Sequence, residues 1–188
     1  ASRRLCEGQY LDLAFELRDT VTIEQYLEMI EGKTAALLEA ACLIGGIFAG
    51  ADAAVASSLA RYGREMGLAF QMRDDYLGIW GDPAETGKPA ADDVAGKKKT
   101  LPILYALDNA PAEDRLTLRR VMSGRGTAPA DDVAAAVAIL ARCGAGEHTQ
   151  KEAERYSNRA VDALSTLADS PARRELEALC LKLAGRRK

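Results

Sequence analysis

The sequence has a single histidine, His148, in 188 residues. Catalysis that needs a histidine cluster is excluded by that count alone. Its four cysteines, Cys6, Cys42, Cys143 and Cys180, form no CxxC pair. A zinc site is therefore unsupported, and the pattern suits reduced thiols in a cytoplasmic protein. Aromatic residues are scarce, 5% of the chain, which disfavours a β-rich core. Basic excess is lacking too: the formal net charge is −3, and no basic stripe marks a nucleic-acid partner. No apolar run reaches the roughly 18–20 residues that span a bilayer. The quietest stretch, Ala35 to Ala56, is interrupted by Glu39 and Asp52. Strand-like alternation persists nowhere.

Abundant alanine and leucine at helical spacing remain, and they predict an all-α fold in one domain over 1–188. A first helix spans about Ser2 to Leu17. Thr22 followed by Gln25 predicts a capping box for a long helix from Ile23 to about Phe48, with Gly32 inside it. Asp52 caps another, from Ala53 to about Trp80. Shorter helices are expected near 103–109, 112–123, 130–143, 147–168 and 172–184, the last announced by Ser170–Pro171. Between them, GDPAETGKPAADDVAGKKKT over 81–100 has glycines, prolines and charges but no periodicity. Loops of that length are commonly functional, and this one reads as a lid.

The stretch FQMRDDYLG places Gln71, Asp74, Asp75 and Gly78 on one helix face, which extends back through Gly67 and Gly63. Adjacent aspartates are often only solvated, and glycines often only permit close helix packing. Here the acids sit among Leu68, Met72, Tyr76, Leu77, Ile79 and Trp80, and the glycines leave space beside the backbone. Paired carboxylates next to such space suit a hard cation. Magnesium takes one or two carboxylates, keeps waters, and completes its shell with phosphate oxygens. A cationic complement follows in Lys88 and in Lys97, Lys98 and Lys99, with Asp92 and Asp93 between them. The alternative for that run is a solvated face. Lys33, beside Thr34 in an apolar stretch, either snorkels to water or serves a site.

These segments resemble the trans-isoprenyl (polyprenyl) diphosphate synthases. GQYLD, Gly8 to Asp12, is similar to the family's GQ-x-x-D segment, and EGKTAALL, Glu31 to Leu38, to its K-T segment. GLAFQMRDDYLGIWGD, Gly67 to Asp82, resembles the second aspartate-rich motif. TGKPAADDVAGKKKTLPILYAL, Thr86 to Leu107, resembles the loop and helix that follow. The resemblance implies an isoprenoid-synthase-like helical bundle and a homodimer. It also implies Mg2+-assisted condensation of isopentenyl diphosphate with an allylic diphosphate. By the same resemblance Asp74 and Asp75 would hold magnesium, and Lys33, Lys88, Lys97 and Gln71 would contact the diphosphate. Thr34 and Gln71 would line the place where the allylic cation forms. Asp92 would support the cluster, and Gln9 and Asp12 would lie near further metal ions. Arg186, Arg187 and Lys188 resemble a basic tail that closes over the site in some members.

Two departures are visible. The second motif usually reads DDxxD, whereas Gly78 stands at the third acid and Asp82 lies one turn further on. The first aspartate-rich motif, expected upstream of Gly8, is absent from these residues. The reading is therefore of a bundle whose N-terminal helices are missing. The expected partner is the missing N-terminal segment of the same protein, and the expected consequence is an exposed apolar flank and an inactive isolated chain. A class I terpene cyclase of the same fold, a non-catalytic regulatory homologue and a helical interaction module are the competing readings.

Overall fold

The computed structural model describes residues 1–87 and 89–184. Among these, the regular elements are all helical, as the sequence predicts. Helix α1 covers Ser2–Glu16 and α2 covers Ile23–Ile30. Then come a π-helical turn, Glu31–Ala35, α3 at Ala36–Phe48 and α4 at Ala53–Trp80. Two one-turn helices follow, α5 (Pro83–Thr86) and α6 (Asp92–Ala95). The remainder are α7 (Leu101–Asn109), α8 (Ala112–Met122), α9 (Ala130–Arg142), α10 (Ala145–Ala163), a 3-10 turn at Leu164–Thr166 and α11 (Pro171–Ala184).

The capping signals act as their chemistry requires. Thr22 and Gln25 bond reciprocally: the Gln25 amide donates to Thr22 Oγ1 and the Thr22 amide to Gln25 Oε1. Asp52 accepts from the Val55 amide at 2.8 Å, and Ser170 from the Arg173 amide at 3.2 Å. Each cap satisfies an amide that the first helical turn leaves without an internal partner.

Two predicted elements differ. The long helix expected from Ile23 to Phe48 is interrupted by the π turn at Glu31–Ala35. Glycine is a poor helix former, so widening the helix at Gly32 costs little. The widened backbone meets α1: a methyl group on Gly32 would lie 2.8 Å from the Arg4 carbonyl oxygen, and one on Gly8 would lie 2.6 Å from the Gly32 carbonyl carbon. Only glycines allow that crossing. The second difference is 81–100, which contains α5 and α6 where the sequence shows only a loop. Asp82 starts α5 by accepting from the Ala84 amide at 2.9 Å, with Pro83 behind it.

The chain packs as two compact units. One comprises 1–9, 28–71 and 152–184. Its core holds Tyr62, Met66, Ala160, Ala163, Leu164 and Cys180. The Tyr62 hydroxyl donates to the Leu176 carbonyl at 2.7 Å, and burial pushes that phenol's pKa up. In this unit the glycine-lined space expected on α4 is filled. A methyl group on Gly63 would lie 2.7 Å from the Leu38 carbonyl carbon, and one on Gly67 would lie 2.6 Å from Ala35 Cα. Those glycines serve close backbone packing, so that part of the sequence reading is corrected. On α3, Leu37, Ile44 and Phe48 are exposed at helical spacing, Phe48 to 88%.

The other unit comprises 10–27 and 72–151. Its core gathers Ile79, Val94, Ile103, Leu118, Val121, Ile139 and Leu140. Gly146 lies 3.3 Å, measured from an added methyl, from the Trp80 ring, which fixes how closely α10 begins beside the end of α4.

Candidate active site

In the first unit, the π turn carries Lys33 and Thr34. Adding a residue to one helical turn re-aims the side chains within it, and such turns concentrate at functional sites. Thr34 Oγ1 donates to Gln71 Oε1 at 2.7 Å. Gln71 is buried, and Lys33 and Thr34 are half-buried. Behind them runs an ionic ladder. Arg4 bonds Glu39 at 2.7 Å and Glu31 at 2.8 Å, Arg64 bonds Glu31 at 2.6 Å and Glu65 at 2.9 Å, and Arg159 bonds Glu65 at 3.1 Å. The Arg64 hydrogen bond, working against burial and aided by the Arg64 and Arg4 charges, holds the Glu31 carboxyl below its ordinary value of 4.5. Glu31 is the first residue of the π turn, so the ladder fixes its entry. Gln9 lies exposed on α1.

In the second unit the adjacent aspartates have different surroundings. Asp74 is exposed, while Asp75 is buried at 3%. Asp75 Oδ2 accepts from the Tyr26 hydroxyl at 2.7 Å and from the Leu101 amide at 3.2 Å. Leu101 opens α7, so this carboxylate also sits where the helix dipole favours an anion. One member of the pair thus ties α2, α4 and α7 together, and the other faces outward. Tyr26 went unnoticed in the sequence. Its only available signal there was a tyrosine on the apolar side of α2.

The segment after α5 supplies the next surprise. Asp93 is buried at 5% and packs on Gly78: a methyl group at 78 would lie 2.6 Å from Asp93 Cγ. The family's third motif acid would begin from that very Cβ, so an acid at 78 would require the Asp93 carboxylate to turn away from its observed place. Lys98 Nζ donates to Asp93 Oδ1 at 2.6 Å. Burial opposes the Lys98 charge, but the bond and charge of Asp93, with Asp92 and Asp12 adding, lift its pKa above the ordinary lysine value. Asp12, half-buried on α1, therefore contributes to the field at Lys98.

Sequence reasoning chose Asp92, which is half-buried at the start of α6; the enclosed, paired carboxylate is its neighbour Asp93. It also chose Lys97 for the diphosphate, whereas Lys97 Nζ donates to the Ser123 carbonyl at 2.6 Å. Lys99 is buried at 6% and donates to the Met122 carbonyl at 2.9 Å, its pKa lowered by that burial. Asp82, the spare acid one turn beyond Gly78, is engaged as the α5 cap. Lys88, Arg186, Arg187 and Lys188 lie outside the described residues. Among the described residues no group of three His, Cys, Asp or Glu side chains encloses a metal site, and no helix is long and apolar enough to cross a membrane.

Comparison with known proteins gives the family. The family model described as polyprenyl synthetase matches residues 1–140. A (2E,6E)-farnesyl diphosphate synthase of Mycobacterium tuberculosis is 42% identical over 176 residues, covering 92% of this chain and 49% of the relative. A geranylgeranyl diphosphate synthase of the same species is 41% identical over 167 residues, covering 89% of this chain and 47% of the relative. Among solved structures, a polyprenyl synthase from Caulobacter crescentus complexed with calcium and isoprenyl diphosphate superposes with a TM-score of 0.92 at 34% identity. That match covers 100% of this chain and 57% of the other. A geranylgeranyl pyrophosphate synthetase from Pyrococcus horikoshii gives a TM-score of 0.88 at 38% identity, covering 98% and 56%. The chain spans about half the length of the curated relatives it matches. By its motifs, its all-helical fold and these matches, the chain belongs to the polyprenyl synthetase family of trans-isoprenyl diphosphate synthases.

Proposed function

We propose that the natural polypeptide carrying this sequence is a prenyltransferase that condenses isopentenyl diphosphate with an allylic diphosphate, assisted by magnesium. The single observation that supports it most is the division of labour at the acidic pair. Asp75 is consumed by structural bonds to Tyr26 and Leu101, which leaves Asp74, the next residue on the same helix, facing outward. A lone, oriented carboxylate with no enclosing donor set fits magnesium, which shares its shell between protein, water and a substrate diphosphate. Such an ion, when bound, neutralises charge that develops on a departing diphosphate.

The chain's own residues then have definable tasks. Asp74 supplies the metal-facing oxygen, and Asp75 keeps it aimed. Lys98 provides, in the second unit, cationic surroundings in which an allylic carbon–oxygen bond can break, and Lys33 and Lys88 are assigned to the diphosphate by the family resemblance alone. Gln71, held by the Thr34 hydroxyl, offers an oriented amide beside the reacting chain. The new carbon–carbon bond forms as isopentenyl diphosphate attacks the allylic cation, and the proton then lost passes to the released diphosphate. None of these steps needs a covalent nucleophile, in keeping with a chain that has one histidine. The exposed α3 residues Leu37, Ile44 and Phe48 support burial of that face in the complete protein, and a homodimer is part of this proposal.

The test is an elongation assay on the longest natural polypeptide that contains this sequence. With both diphosphates and magnesium it should make a product one isoprene unit longer, and Asp74→Ala should lower the rate by about a hundredfold or more. Product from the allylic diphosphate alone would indicate cyclisation instead. No magnesium-dependent turnover of either kind would overturn the proposal.

A further inference from the structure

The run Lys97–Lys98–Lys99 reads in sequence as one block of positive charge, yet its members point to different places. α6 ends at Ala95 and residues 98–100 belong to no helix, so the three side chains are sorted by the partners each one finds. Lys98 turns toward Asp93 and, through it, toward Gly78 on α4. Lys97 and Lys99 turn the other way and donate to Ser123 and Met122, the final carbonyls of α8. The last carbonyls of a helix have no internal partner and carry its negative dipole end, so two ammonium groups there satisfy both needs. A backbone bond from the Ala128 amide to the Ala95 carbonyl, 2.9 Å, adds a third tie between α6 and the stretch after α8.

The backbone between these ties is held in an uncommon form. Ala91 and Lys97, on either side of α6, have φ of +57° and +56°, a region that residues with a Cβ rarely adopt. At Lys97 it closes α6, since the Lys97 amide donates to the Val94 carbonyl at 3.1 Å and the Lys98 amide to the Asp93 carbonyl at 3.0 Å. Here Asp93 is wedged against Gly78 on one side of the segment, and the two lysines grip α8 on the other.

We infer that Lys97 and Lys99 are positioning residues that anchor the 92–100 segment to the end of α8 and so set where Asp93 and Lys98 stand for the function proposed above. The segment is then a fixed two-sided bracket: its outer lysines set the backbone, and its inner pair, Asp93 and Lys98, is presented by it. This rests on the function proposed above for the diphosphate, but the anchoring itself does not.

The two parts are separable in one experiment. Amide hydrogen exchange over 92–100 is compared for the wild type, Lys97→Met, Lys98→Met and Lys99→Met. Magnesium-dependent affinity for inorganic diphosphate is measured on the same proteins in the longest natural polypeptide. Anchoring predicts that Lys99→Met lowers protection of the segment by about tenfold or more and that Lys97→Met lowers it less. For affinity the expected order differs. Lys98→Met weakens diphosphate binding most, and Lys99→Met weakens it by a few fold only, with Lys99→Arg restoring both readings in part. Because Lys97 is accessible, its variant folds even where Lys99→Met does not. Unchanged protection in both outer variants, or loss of diphosphate affinity in them equal to that in Lys98→Met, would overturn the inference. If no variant and no wild type binds diphosphate while protection follows the predicted order, the anchoring stands and the proposed function fails.

Discussion

The π turn at Glu31–Ala35 and the bracket at 92–100 both present lysines, but they are stiffened by opposite means. In the first unit a continuous helix is deformed, glycines let a second backbone cross it, and an alternating ladder of arginines and glutamates fixes the deformation. In the second unit a segment with little helix of its own is pinned at both faces by lysine ammonium groups on carbonyls and by a carboxylate against a glycine. A deformed helix keeps its backbone bonds and needs only packing to hold its shape. The 92–100 segment has only the short run of backbone bonds that makes and closes α6, so individual side chains must supply much of the remaining order. Single substitutions should therefore matter more in the second unit.

The largest effect expected is at Asp75. Asp75→Ala leaves the Tyr26 hydroxyl and the Leu101 amide without a buried acceptor and should destabilise the protein by about 3 kcal/mol in urea unfolding. Asp74→Ala, on the exposed side, should change stability by less than about 0.5 kcal/mol. Equal losses at the two positions would erase the division between them. Next, Gly63→Ala forces a methyl against the Leu38 carbonyl and should cost about 2 kcal/mol, since backbone must move. Smaller again is Thr34→Val, which removes one partly buried hydrogen bond and should cost about 1 kcal/mol. A gain is expected at Ala91→Gly, about 1 kcal/mol, because glycine accepts the left-handed backbone there without penalty.

The ladder sharpens the comparison through pH. The Glu31 pKa is lowered in the folded state, so its contribution is fully present above the ordinary value of 4.5 and is lost as pH falls through the lowered one. Glu31→Gln should flatten the acid side of the stability profile measured by urea midpoint. An unchanged profile would remove the ladder as the brace of the π turn.

Much of this was legible in the sequence where the signal is local. Thr22 with Gln25, Asp52 and Ser170 marked helix starts because capping depends only on residues three positions apart. The acidic pair and the lysine run were also visible as chemistry. What the sequence could not show was which member of each cluster faces which way. Asp75 is recruited by Tyr26, 49 positions away in the chain, and Lys99 by the end of α8. The glycines of α4 misled for the same reason, since space beside a helix is decided by whatever packs there, here Leu38 and Ala35. The choice between Asp92 and Asp93 turned on a single residue of register in a segment with no periodicity to fix it.

The most direct test is calorimetric titration of inorganic diphosphate, with and without magnesium, into the longest natural polypeptide and its Asp74→Ala variant. The account predicts binding that requires magnesium and weakens by at least about tenfold in the variant, at an unchanged unfolding midpoint. Binding that ignores both magnesium and Asp74, or no binding by the wild type, would contradict it.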